Sequence, residues 1–290
     1  IGRGFKSLPR SHLPSVTPPA SPKSPMTYAE YEPAAALEPY VASLWSFTVD
    51  PEAGPVEHWV PPDGCISLAF RRHSPMAVLV GPWTEPLTPP VVAGDAYFGV
   101  RFWPGAAGAL LPIRPAELRN RSIPAGQLPA LAWTTGLTAE LWAASAGAAD
   151  AAVDPTPLDR ALRALLPAAR PLDVAVNFAA RRIIATGGEL RIALLARELG
   201  LSPRQFRRRF TAAVGVSPKE LARIWRLRRC ALAALDPSSP ETARWAELAA
   251  AHGFADQAHL VREFRHLLGL PPTAFARQFA RIAHRDLQPT

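Results

Sequence analysis

The sequence predicts an α+β chain in three parts: a β-rich domain, a helical connector and an all-α domain. Short apolar runs separated by turn signals fill the first part, and an Ala/Leu-rich stretch follows. The last part has helical periodicity and holds one two-helix unit twice, at a fixed offset of 54 residues. A length of 290 residues suits two domains.

Residues 1–25 are rich in Pro and Ser and are expected to be disordered, because they cannot bury enough apolar surface to offset the entropy of ordering. They contain six prolines and no apolar core, so they do not read as a signal peptide. Residues 26–125 form the expected β-rich domain. Its strand candidates are Val41–Val49, Cys65–Phe70, Met76–Val80 and Tyr97–Trp103. Turn signals such as Pro61-Pro62-Asp63-Gly64, Gly81-Pro82 and Gly94-Asp95 separate them, which suggests a sandwich or barrel. Residues 126–170 form the connector, where Asp154-Pro155-Thr156-Pro157 interrupts the helical pattern and starts a new helix.

Residues 171–290 form the helical domain. Helices are expected at Leu172–Ala185, Ile192–Leu199, 203–213, Pro218–Leu235, Trp245–His252 and Gln257–Leu268, with a last one starting near Pro272. Ser202 can cap the third helix, and Pro203 sits at its first position, where a missing N–H costs little. Asp256 plays the capping part in the second copy. The repeat pairs Leu194 with Leu248, Arg208 with Arg262, Phe210 with Phe264, Gly215 with Gly269 and Pro218 with Pro272.

Charge separates the parts as well. Residues 171–290 hold 19 Lys/Arg against 10 Asp/Glu, whereas residues 1–170 hold 13 against 14. The excess of positive charge in the repeat-bearing part favours a polyanionic partner there. On a helical wheel, Phe206 and Phe210 share the inward face, while Arg204 and Arg208 lie opposite with Arg207 and Thr211 on the flank. In the second copy Leu260 and Phe264 face inward, and Ala258, Arg262 and Arg265 face outward. Residues near the start of such a helix reach base edges in the major groove of DNA. The arginine fork suits guanine, and a glutamine such as Gln257 suits adenine. A single Arg207-Arg208-Arg209 run would fit a plain solvated face, but two copies in register favour a reading surface.

The segment from Leu248 to Arg265, followed by Gly269-Leu270-Pro271-Pro272, resembles the signature of the AraC/XylS family of bacterial transcription regulators. The first copy, Leu194 to Pro218, is similar to the same signature. The resemblance covers roughly residues 172–280. It implies a seven-helix domain with two helix-turn-helix units joined by a long central helix. It also implies recognition helices in successive major grooves, about 34 Å apart. Carried onto this sequence, the base-contact positions are Arg204, Arg207 and Arg208 in the first unit, and Gln257, Ala258, His259 and Arg262 in the second. Ala258 offers at most a contact to a thymine methyl.

Pro62-Asp63-Gly64-Cys65 and Phe98–Gly105 resemble a sensor-like domain that precedes this module in some family members. That likeness implies a cupin-like barrel that binds a small effector or mediates dimerisation. Its pocket candidates are Trp59, Asp63, Cys65, Arg101 and Trp103. Each also has a plain structural reading: Trp59 and Trp103 as core aromatics, Asp63 as a turn residue, Cys65 as a buried apolar. Arg101 stands out, since a charge within an apolar strand needs a partner or an anion.

Enzyme chemistry finds little support. Residues 26–170 offer only His58 and His73, without a paired-His motif, so a metal site is not expected and no cofactor is implied. Nucleophile-elbow and phosphate-loop motifs are missing from the sequence. Cys65 and Cys230 cannot supply the zinc cluster of an alkyl-transfer repair protein. The expected function is a sequence-specific transcription regulator in the cytoplasm, with a double-stranded DNA operator as partner and no membrane. A small effector, RNA polymerase and a second copy of the chain are further candidate partners. A DNA-binding protein without a regulatory role and a fusion to a cupin-type enzyme are the alternatives. Direct redox sensing by Cys65 is a weaker one.

Overall fold

The computed structural model describes residues 26–54, 58–143, 153–234 and 244–279. The expectation of disorder at 1–25 and the helix break at 236–240 lie outside these residues. Six strands form one antiparallel sheet: β1 (Met26–Tyr31), β2 (Val41–Val49), β3 (Ile66–Arg71), β4 (Val78–Val80), β5 (Ala96–Phe102) and β6 (Ser122–Pro124). Their order across the sheet is β1-β2-β5-β3-β4-β6. In β3 the side chains alternate between buried and half-buried, as a strand with one face against a core must. Leu68, Phe70, Phe98, Val100 and Phe102 are fully buried on that face. The α+β architecture, an antiparallel sheet domain followed by a helical region, is as expected. Among the described residues β1 and β6 end the sheet and no ladder joins them, so the hydrogen bonding does not close a ring.

Three helices supply cover for the sheet: α1 (Ala107–Leu110), α2 (Leu137–Trp142) and α3 (Thr156–Ala164). Leu110, Leu137, Leu141, Trp142, Leu158 and Leu162 share one core with the strands. The described parts of the connector, 126–143 and 153–170, therefore contribute to the first domain's interior.

Seven helices follow among the described residues: α4 (Val174–Ala185), α5 (Ile192–Glu198), α6 (Pro203–Val214), α7 (Pro218–Ala234), α8 (Arg244–Ala251), α9 (Gln257–Leu268) and α10 (Pro272–Phe279). A second core runs through all of them, from Ile183 and Phe206 by way of Leu227 to Phe264 and Phe275. The pair Leu194 and Leu248 is the exception to the repeat's symmetry. Leu248 packs against this core, whereas Leu194 is 53% exposed and its neighbour Leu195 is buried instead.

The two domains meet at several places on the helical domain, from α4 to α10. Trp59 belongs by sequence to the sheet domain, yet its ring is a member of the helical core and meets Phe275 edge-on at 6.2 Å. Next to it, Arg228 of α7 is 2% exposed and donates to the carbonyls of Pro61 (3.3 Å) and Pro62 (3.2 Å). The Trp225 indole N–H donates to the Asp63 carbonyl at 3.0 Å. Diproline suits this role, because it presents carbonyl acceptors without backbone donors that would need partners of their own. At the other end Arg181 of α4 lies 4.3 Å over the Trp103 ring and donates to the carbonyl of Glu38 at 2.9 Å.

Candidate nucleic-acid interface

Both readers are built alike. Helix α6 opens with a capping box: the Ser202 hydroxyl accepts from the Gln205 backbone N–H at 3.3 Å, and the Gln205 side chain accepts from the Ser202 N–H at 3.1 Å. Helix α9 opens on Asp256, whose carboxylate accepts from the His259 N–H at 2.6 Å. Both end on a left-handed glycine, Gly215 at φ 92° and Gly269 at φ 70°, where a side chain would be strained. Caps and stops thus repeat at the same offset as the sequence.

The inward and outward faces are as the wheel predicts. Phe206, Phe210, Leu260 and Phe264 are fully or almost fully buried. Arg204, Arg207, Arg208, Gln257, Ala258 and Arg262 are exposed. Among the described residues, none of these arginines makes an ion pair or a side-chain hydrogen bond. Each guanidinium keeps its five N–H donors uncommitted. Arg265, on the same outward face, is exposed and uncommitted in the same way.

Two residues of this neighbourhood are committed to structure. Arg209 forms a bidentate pair with Asp173 (3.0 and 2.8 Å), and Asp173 also caps α4 by accepting from Val176 N–H at 3.1 Å. The run Arg207-Arg208-Arg209 therefore divides into two open residues and one clamp. His259 is half-buried: its Nδ1 accepts from the Ala255 N–H at 3.2 Å, and its ring stands edge-on to Phe254. Through these contacts it helps to hold the start of α9. The second reader has its own clamp, in which Arg223 of α7 pairs bidentately with Glu263 (3.0 and 2.9 Å). Such forks fix roll as well as position. A groove of about 480 Å³ separates α7 from α9, lined by Lys219, Arg226 and His259 among others.

The five effector candidates lie at or just behind the domain junction. Trp59 and Trp103 pack against the helical core. Asp63 pairs with Arg101 at 3.2 Å, accepts from the Cys65 N–H at 2.8 Å, and offers its carbonyl to Trp225. Arg101 has the partners that its strand position demands, Asp63 and Glu30 (2.9 Å). Burial works against its charge, but Tyr28, Asp63 and Glu30 more than offset it and raise its pKa. Cys65 is buried, and burial followed by the Asp63 charge pushes its thiol pKa up. Burial and a raised pKa both disfavour the thiolate on which redox sensing depends. Among the described residues no group of His, Cys, Asp and Glu is placed to hold a metal ion. His58 is instead stacked on Phe47 at 4.1 Å, and burial lowers its pKa to about 4. No helix of the described residues is long and apolar enough to cross a membrane.

A doubled, capped helix-turn-helix with open arginines on both readers has the form of a DNA-binding domain. Residues 195–278 match a family described as a helix-turn-helix domain, and this domain is of the AraC type. Residues 29–124 match a family described as a domain of unknown function, DUF6597, which spans β1 to β6. Among curated proteins nothing matches. Among solved structures, a transcriptional regulator with an AraC-type DNA-binding domain from Chromobacterium violaceum is 23% identical. That match covers 38% of this chain and 95% of the other, at a TM-score of 0.33. An apo ToxT variant from Vibrio cholerae is 9% identical, covering 88% of this chain and 98% of that one, at 0.42. ToxT from Vibrio cholerae O395 is 10% identical over the same shares, at 0.37. These likenesses are too slight to carry weight, and the assignment rests on the matched helix-turn-helix segment.

Proposed function

We propose that this chain reads a two-part DNA operator, one element with α6 and one with α9, and that its sheet domain modulates the reading. Arg204, Arg207 and Arg208 contact bases of the first element. Gln257, Ala258 and Arg262 contact the second, Arg265 holds phosphate, and His259 supports the start of the helix. The observation that carries this reading is the set of solvent-facing, uncommitted arginines on two helices capped at matching positions. Modulation by a small effector or by a second copy would act through the junction where Trp59, Asp63, Cys65, Arg101 and Trp103 lie. RNA polymerase is a further candidate partner, and the cytoplasm is the expected compartment.

The test is a binding selection of random duplex DNA on the full chain at fixed, stated salt, because phosphate contacts alone give sequence-blind affinity. The proposal expects two short enriched elements about one helical turn apart. Binding without enrichment would leave a DNA-coating protein and end the regulator reading.

A further inference from the structure

The sheet domain touches all three parts of the double reader. At the joint after the first reader, a Cβ on Gly215 would come within 2.5 Å of Pro82 and 2.6 Å of the Pro115 carbonyl. There Arg119 pairs with Glu220 at 2.6 Å, and Glu220 itself accepts from the Ser217 N–H at 2.9 Å. At the linker helix, Pro61, Pro62 and Asp63 accept from Arg228 and Trp225. At the second reader, Trp59 meets Phe275, and Pro86 would be 3.6 Å from a Cβ on Gly269. The segment 82–86 therefore reaches from the end of one recognition helix to the end of the other.

That segment is stiff. Gly81 N–H donates to the Arg121 carbonyl (2.9 Å), and Asn120 N–H donates to the Pro82 carbonyl (3.1 Å). The Asn120 side chain accepts from Thr84 N–H at 2.8 Å and donates to the Thr84 hydroxyl at 3.0 Å. On the far side Val60 and Leu87 exchange backbone hydrogen bonds of 2.8 and 3.0 Å. Pro82 and Pro86 further restrict the backbone. The contacts with the helical domain fall just after α6 and α9, at Gly215 and Gly269, and on α7 and α10. Among the described residues no hydrogen bond or ion pair joins the sheet domain to Arg204, Arg207, Arg208 or Arg262, so the reading faces stay open.

We infer that the sheet domain is a spacer gauge: with Pro82 packed close at Gly215 and Pro86 lying near Gly269, the 82–86 segment sets the distance between the two DNA elements that the chain accepts. This rests on the two-part operator proposed above. One base pair of added spacing moves an element by about 3.4 Å along the axis and rotates it around the helix. A rigid pair of readers cannot follow both changes, whereas a loosened pair can follow them in part.

The experiment takes the selected operator and inserts or removes one and two base pairs between its elements. Affinities of the full chain are compared with those of Asn120→Gly and Pro86→Gly chains. Asn120 has φ 51°, so glycine keeps the backbone and removes only the hold on Thr84. Wild type should lose about tenfold or more in affinity per altered base pair, the scale of one lost bidentate base contact. Each variant should lose at least about threefold less, while binding a single-element duplex as wild type does. An identical spacing penalty in wild type and both variants would overturn the gauge and leave α7 with the helical core as the only spacer. A selection that yields no operator would instead remove the proposed function, and the gauge with it.

Discussion

Replacing Trp59 with alanine should destabilise a domain to which Trp59 does not belong by sequence. The indole is 8% exposed, sits in the helical core and meets Phe275, which in turn stands edge-on to Phe264 at 5.5 Å. Truncating a buried Trp to Ala costs about 3–5 kcal/mol through lost transfer energy and the cavity left behind. The edge-on ring pair adds about 0.5–1.5 kcal/mol of its own, part of which is already in that range. For a chain of this size about 1 kcal/mol corresponds to about 2–4 °C, so the melting point should fall by about 6–20 °C. Thermal melting followed by helical circular dichroism reads this directly, since most of the helix lies in α4 to α10. A helical melt that moves by less than about 2 °C would refute the reasoning, because a shift below about 1 kcal/mol cannot come from a filled core site. Trp59 would then be packed in the sheet domain, as a pocket residue would be.

Arg208→Ala should cost about 1–3 kcal/mol at its own base pair and relax preference there; binding to duplexes substituted at each position checks this. Asp256→Ala should cost about 1 kcal/mol of helix stability and weaken binding to the second element more than to the first, read with single-element duplexes. His58 should make stability fall in acid. Folded His58 stays neutral to about pH 4, while the unfolded chain takes up the proton below about 6.5, so stability is full above 6.5 and declines as pH falls toward 4. The shift corresponds to about 3 kcal/mol. Denaturant midpoints measured across that window should show the decline, and His58→Phe, which keeps a ring against Phe47, should flatten it.

The helical half was legible because its signals are local. Phe206 and Phe210 are one turn apart, Ser202 and Asp256 are caps, and Gly215 and Gly269 are stops, so the helix bounds came within a residue or two. The sheet was legible where strands are long and apolar, as in β2, whose bounds match the reading. It was not legible at β1, where Tyr28 and Glu30 mark an edge strand with few apolar residues. Nor was it at β6, three residues ending in proline. The candidate site was half legible. Helical spacing gives the outward arginines, but it cannot give Arg209 its partner, since Asp173 lies 36 residues away. The same blindness to distant partners left Trp59 readable as a core aromatic or as a pocket residue, with no sign that its core would be the helical one. A tryptophan beside a diproline turn carries no sign of which domain's core it will enter.

The insertion of Trp59–Asp63 into the helical domain bears on how such chains can be recombined. A DNA-binding half cut away at Pro171 would lose one of its own core side chains and expose the socket around Phe275. It would also strip Trp225 and Arg228 of the carbonyls they now reach. Grafting a foreign sensor onto this reader would need to carry the tongue from Trp59 to Asp63, or to refill its socket. The covalent joint between the halves lies near residue 170, but the physical joint is more than a hundred residues earlier, and shuffling that respects only the first would produce a sticky fragment.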